Sequence, residues 1–152
     1  MAELQTSYSD DIAPGFAGMV ANGETSNRIS RTCEDAAGIG FGVPVYRGAG
    51  DHGCTRTPGG ELLGVTISNS TLGILPGADV DEYQQYDTVA ILTQGVIWVT
   101  AGEAVTDGAA AYDSGTEIVD TATDNDAMPG WVFDTTGGDG DLVKLAKRNS
   151  PV

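Results

Sequence analysis

Glycine is the feature that most constrains this chain. It occurs 22 times in 152 residues, joined by 6 prolines, and no window between them keeps apolar residues at i, i+3, i+4 and i+7 for three turns. A glycine inside a helix costs about 1 kcal/mol and a proline about 3 kcal/mol. Helix is therefore excluded except for one turn at most at 80–86, "VDEYQQY". Short apolar runs between glycine-bearing turns predict strands instead, at 16–22, 28–33, 43–47, 54–57 and 62–68, then at 88–93, 96–101, 109–113, 117–122, 131–135 and 142–146. Leu63, Val65 and Ile67 alternate with Gly64, Thr66 and Ser68, the pattern of a strand with one buried face. The run "VIWV" at 96–99 is apolar on both faces, so it is central in a sheet or covered by a partner. The expected fold is all-β, a compact β-barrel or jelly-roll-like sandwich with long loops. It divides into an N-terminal arm (1–13), a single β domain (14–147) and a C-terminal tail (148–152), a size that supports one modest core.

Two stretches, "FGVPVYRGAG" (41–50) and "DGAAAYDSGT" (107–116), share a glycine followed by small residues and a tyrosine. A shift of 66 residues lays Gly42 on Gly108, Tyr46 on Tyr112, Thr55 on Thr121, Thr57 on Thr123 and Gly64 on Gly130. It also lays Val65 on Trp131 and Ile67 on Phe133. Two related strand–turn–strand units would produce this order, with each glycine at a tight corner and each tyrosine half-buried with its hydroxyl at a wet edge.

No arrangement of reactive residues points to catalysis. His52 is the one histidine and no G-x-S-x-G elbow exists to pair with it. Cys54 stands two residues from His52, but neighbours in a loop rarely form a working dyad. With Cys33 these residues lack the spacing of a zinc site. Two cysteines are too few for a disulfide scaffold, and both are expected as thiols. Asp124 with Asp126, and Asp139 with Asp141, are explained by Asp- and Gly-rich turns as well as by calcium or a glycosidase pair. The expectation is no catalytic, cofactor or metal site. Net charge is −15, from 22 acids against 7 Lys and Arg, and such a surface repels nucleic-acid phosphates. The first residues lack the basic and apolar regions of a signal peptide, and no apolar run approaches the length of a membrane span. A soluble protein made in a cytoplasm is expected.

Contact residues are a different matter. The segment "NSTLGILPGADVDEYQQYD" (69–87) carries Leu72, Ile74 and Leu75 in a stretch broken by Gly73, Pro76 and Gly77. Apolar residues in a broken loop need cover, either from the chain's own core or from a partner. Lys144, Lys147 and Arg148 gather the few positive charges near the C-terminus, where they can meet an acidic partner or water. With Trp98 of the "VIWV" run, these are the candidate partner or oligomer contacts.

In order along the chain, "PGFAGMVAN" (14–22), "GIGFGVPVYRG" (38–48), "GGELLGVTIS" (59–68) and "YDTVAILTQGVIWVTAGEAVTDGAAAY" (86–112) resemble the bacteriophage structural cement proteins. The likeness covers residues 14 to 135. At 109–111 this chain has three alanines where the family more often carries an acidic residue and Pro or Val. The resemblance implies a small all-β decoration protein of the virion. Such a protein binds the outer surface of the major capsid protein shell and locks it against internal DNA pressure, with no catalytic residues to carry over. Contact area repeated by symmetry suffices for that role. A homo-oligomer is expected, a trimer ahead of a dimer. The alternative is a receptor- or glycan-binding β module of a phage tail or fibre, which would expose Trp98 or Trp131 in a concave polar site.

Overall fold

A computed structural model describes residues 13–70 and 81–148. Its strands in chain order are β1 (Asn27–Cys33), β2 (Ile39–Gly40), β3 (Pro44–Arg47), β4 (Gly53–Thr55), β5 (Leu62–Thr66), β6 (Glu82–Tyr83), β7 (Thr88–Thr100), β8 (Ala110–Asp113), β9 (Ile118–Val119), β10 (Asp126–Phe133) and β11 (Leu142–Lys147). The fold is all-β, and it is a barrel. The large sheet runs β1-β4-β3-β5-β7-β11-β10-β8-β9, and β1 pairs back onto β7, closing β1, β4, β3, β5 and β7 into a ring. On the other side of β7, the strands β11, β10, β8 and β9 curl back until Ile118 bridges Ala101, just past the end of β7. Two lobes therefore share one long strand.

That sharing explains why β7 is apolar on both faces. Val89 and Ile91 enter a core with Cys33, Val45, Cys54 and Tyr83, while Leu92, Ile97 and Val99 enter a second core with Trp131, Phe133 and Leu145. The two strands expected at 88–93 and 96–101 are one, because the chain passes through Gly95 at φ +130 without leaving the ladder. "VIWV" is central: β11 pairs it on one side, and on the other residues 18–21 bond it through Trp98 N–H to the Met19 carbonyl (2.9 Å) and Ala21 N–H to the Val96 carbonyl (2.8 Å). The strand expected at 16–22 is reduced to the single bridge Val20–Ile97, since Gly18 at φ +87 turns the chain just before it.

Three further expectations are corrected. The described part of the predicted helical turn at 80–86 is instead the short strand β6, paired with β2, with Asp81 (φ 59) and Tyr86 (φ 72) in left-handed backbone that no helix accommodates. The strand expected at 117–122 shrinks to β9. Leu63 does not share a face with Val65 and Ile67. Between the pairs Tyr46–Leu62 and Val45–Gly64 one extra residue enters β5, and this bulge reverses the alternation. Leu63 consequently packs on the first core, and Val65 and Ile67 in the second.

The 66-residue repeat corresponds to two units of like topology. In one, β3 lies between β4 and β5; in the other, β8 lies between β9 and β10, every pairing antiparallel. Gly42 (φ +69) and Gly108 (φ +85) both turn left-handed, as each corner requires. The alignment slips further on. Val65 pairs with Pro44, but the residue opposite Ala110 is Val132, one beyond the place the shift assigns. The cause is a wider bulge in β10, between Ala127 and Val132, around Pro129, which has no N–H to give a ladder.

Candidate interaction surface

The two tyrosines of the repeat do not behave alike. Tyr112 is half-buried, but Tyr46 is buried and its hydroxyl donates to Asp113 Oδ2 at 2.7 Å, across the junction of the two lobes. Arg56, just past β4, donates to both Asp113 oxygens at 2.6 and 2.7 Å, and the Gly115 N–H adds a bond at 2.8 Å. Asp113 has no exposed surface. Burial pushes its carboxyl up, yet the hydrogen bonds from Arg56, Tyr46 and Gly115 prevail and hold it below the usual carboxylate range. Burial and the Asp113 hydrogen bond push the Tyr46 hydroxyl up, so it stays protonated. This is a clamp between β3 and β8, with every oxygen of the acid occupied.

The residues expected to make contacts are placed as follows. Trp98 is half-buried: Lys144 Nζ stands 5.3 Å from its ring centroid, and the backbone at Gly15 passes so close that a Cβ there would lie 2.8 Å from the ring. Arg148 is paired with Glu24 at 3.0 Å and Asp134 at 3.1 Å. Lys147 lines a groove with Tyr46, Glu61, Leu62, Asp126 and Pro129. Leu72, Ile74 and Leu75 lie outside the described residues, as do the first twelve residues of the arm and all of the tail after Arg148. The structure thus brings Trp98 and Lys144 together, and ties Arg148 to acids of its own chain. Trp131 is 1% exposed, so neither tryptophan stands open in a concave site.

The residues suspected of chemistry are dispersed. His52 is exposed in a turn, whereas Cys33 and Cys54 are buried, adjacent in the β1–β4 register, and free. Burial pushes the Cys54 thiol up to about 12 and raises Cys33 also, so both are held as thiols. Asp141 accepts the Gly138 N–H at 2.8 Å, the turn bond expected of such a loop. Among the described residues no group of His, Cys, Asp and Glu is arranged to hold a metal ion.

Two exposed aromatic side chains were missed in the sequence. Phe16 is 57% and Tyr86 78% exposed, the large apolar side chains left open among the described residues. Phe16 flanks a groove with Ala17, Phe41, Ser68, Asn69, Ser70 and Asp81. No Lys or Arg lies between Arg56 and Lys144 in the chain, the long stretch that contains Tyr86. A two-lobed body with these exposed aromatic side chains and a net charge of −15 offers contact area.

Residues 4–147 match the family model of the structural cement protein (E217 gp24/Pam3 gp6). The chain belongs to the phage structural cement protein family. This cement protein also shares its fold with a chain from the capsid of Myoviridae phage XM1, at TM-score 0.72 and 15% identity, covering 94% of this chain and 96% of that one. The N base of head fibre gp8.5 of bacteriophage phi29 matches at TM-score 0.48 and 14% identity, covering 84% and 98%. No curated protein matches. The cement protein is a structural component of the phage capsid, with the role of decorating and cementing the shell.

Proposed function

We propose that this cement protein sits on the outer surface of the capsid, bridges subunits of the major capsid protein, and stabilises the shell against internal DNA pressure. The family match over residues 4–147 carries this reading. The charge of −15 supports an outer rather than an inner position, because packaged DNA repels such a surface. The Asp113 clamp supports a role in resisting pressure, since it ties the two lobes into one unit. The apolar Leu72, Ile74 and Leu75 support self-association on the shell, a homotrimer ahead of a homodimer, whereas "VIWV", now covered within the chain, no longer argues for it. Synthesis is assigned to the host cytoplasm.

The test is to delete the gene, purify the particles, and add the protein back. Particles lacking it should release DNA at lower temperature, and added protein should restore the loss. Antibody against the protein should label intact particles. Equal stability with and without the protein, or labelling only after disruption, would overturn the proposal. Mass measured in solution and density averaged on the particle give the oligomeric state; a monomer in both removes the trimer.

A further inference from the structure

We propose that Tyr86 is an aromatic anchor that inserts into a pocket of a shell subunit rimmed by Lys and Arg side chains. This rests on the shell-binding reading above. Tyr86 is 78% exposed, yet its backbone is held at φ 72, a conformation that L side chains rarely adopt. The turn that imposes it is well fastened. Tyr86 N–H donates to the Cys33 carbonyl (2.8 Å), Cys33 N–H donates to the Asp87 carbonyl (2.9 Å), and Gln84 N–H donates to the Asp87 carboxylate (2.9 Å). The Gln85 side chain adds a bond to the Glu34 carbonyl at 3.2 Å. Glycine would occupy this position without strain, and the tyrosine ring is left largely uncovered by its own chain. Such a ring, on a rigid turn, loses little freedom on binding and brings large amphipathic area, the character of an interface hot spot.

Charge names the partner. Acids gather at this turn: Asp87 follows Tyr86 in the chain with its carboxylate on the Gln84 N–H, and Asp35 and Glu82 act with it on Cys33, whose carbonyl holds Tyr86. Of the nearby cations, Arg56 is already engaged by Asp113, and Arg31, which acts on the neighbouring Cys54, is outnumbered by these acids. Two copies of this chain meeting here would bring like charges together, so the fitting surface is a basic-rimmed pocket on the shell.

Purified shells lacking the protein are titrated with wild type, Tyr86→Gly and Tyr86→Phe, at low and raised salt. Tyr86→Gly relieves the backbone and should melt no lower than wild type, yet bind shells at least about ten-fold more weakly. Tyr86→Phe should bind within about three-fold of wild type, since it retains the ring. Wild-type occupancy should fall as salt rises. If wild type fails to bind shells, the cement reading itself falls. If wild type binds and Tyr86→Gly binds equally, or binding is indifferent to salt, this inference alone is overturned. It is also overturned if Tyr86→Gly abolishes an oligomer that wild type forms in solution, for the ring would then serve a contact between copies.

Discussion

The side chain with most at stake is Asp113. An acid with no exposed surface is tolerated only when its charge is matched and its oxygens are bonded, and here Arg56, Tyr46 and the Gly115 N–H supply those bonds. Arg56→Ala should destabilise by about 3–5 kcal/mol, because it leaves a buried carboxylate without its cation. Tyr46→Phe should cost about 1–3 kcal/mol. Chemical denaturation measures both. The folded-state pKa of Asp113 is depressed, so its stabilisation is complete above the ordinary aspartate range and is lost as pH falls through the lowered folded value. Acid unfolding of Arg56→Ala should begin at higher pH than that of wild type. The corner glycines separate two causes of strain. A Cβ on Gly42 would stand 2.7 Å from the Gly18 nitrogen, while one on Gly108 meets nothing within 4 Å. Gly108→Ala should cost about 1–2 kcal/mol from the left-handed backbone alone, and Gly42→Ala should lower the melting temperature further.

Among the elements, β7 decides cooperativity, since both cores rest on it. Ile97→Ala should cost about 2–5 kcal/mol, and the loss should register in both lobes as one transition seen alike by far-ultraviolet circular dichroism and tryptophan fluorescence. Separate transitions would show that the lobes fold independently despite their common strand. The adjacent β1 and β4 strands hold Cys33 and Cys54 side by side, buried and with raised pKa values. Neither should react with a thiol reagent near neutral pH until the protein is unfolded. Alternation along β5 illustrates how an element can mislead. Leu63, Val65 and Ile67 read as one face, but a single inserted residue at the Gly64 bulge sends Leu63 to the other core.

For the molecule as a whole, the N-terminal arm is a second candidate attachment, because the sequence of residues 1–13 carries too few apolar side chains to bury a core of its own. Residues 18–21 already lie along β7, with Gly18 N–H bonded to the Trp98 carbonyl at 2.8 Å, so removing residues 1–12 should leave the melting temperature nearly unchanged. Occupancy on shells should fall if the arm fastens the protein to its neighbours. Full occupancy by the truncated protein would remove the arm from the attachment. The surface charge adds a further expectation: the protein should show no retention on DNA at physiological salt.

Spacing alone carried the all-β class, the paired Gly-and-Tyr units and the family resemblance, because glycine placement and alternation are local properties that a linear reading preserves. Which edges meet is not local. The ring closes through pairs such as Arg28 with Leu92, whose distance along the chain leaves no periodic trace. Bulges also defeat the reading, since one unpaired residue reverses every side chain beyond it. Tyr46 and Tyr112 occupy matching places in the repeat, yet Tyr46 alone finds a buried carboxylate, supplied by the opposite lobe. Tyr86 sits only three residues from Tyr83, which is fully buried and donates to the Ile67 carbonyl. Composition treats these two tyrosines as equals; folding sends one into a core and leaves the other on a strained turn in solvent, because burial depends on where the chain's distant parts come to rest.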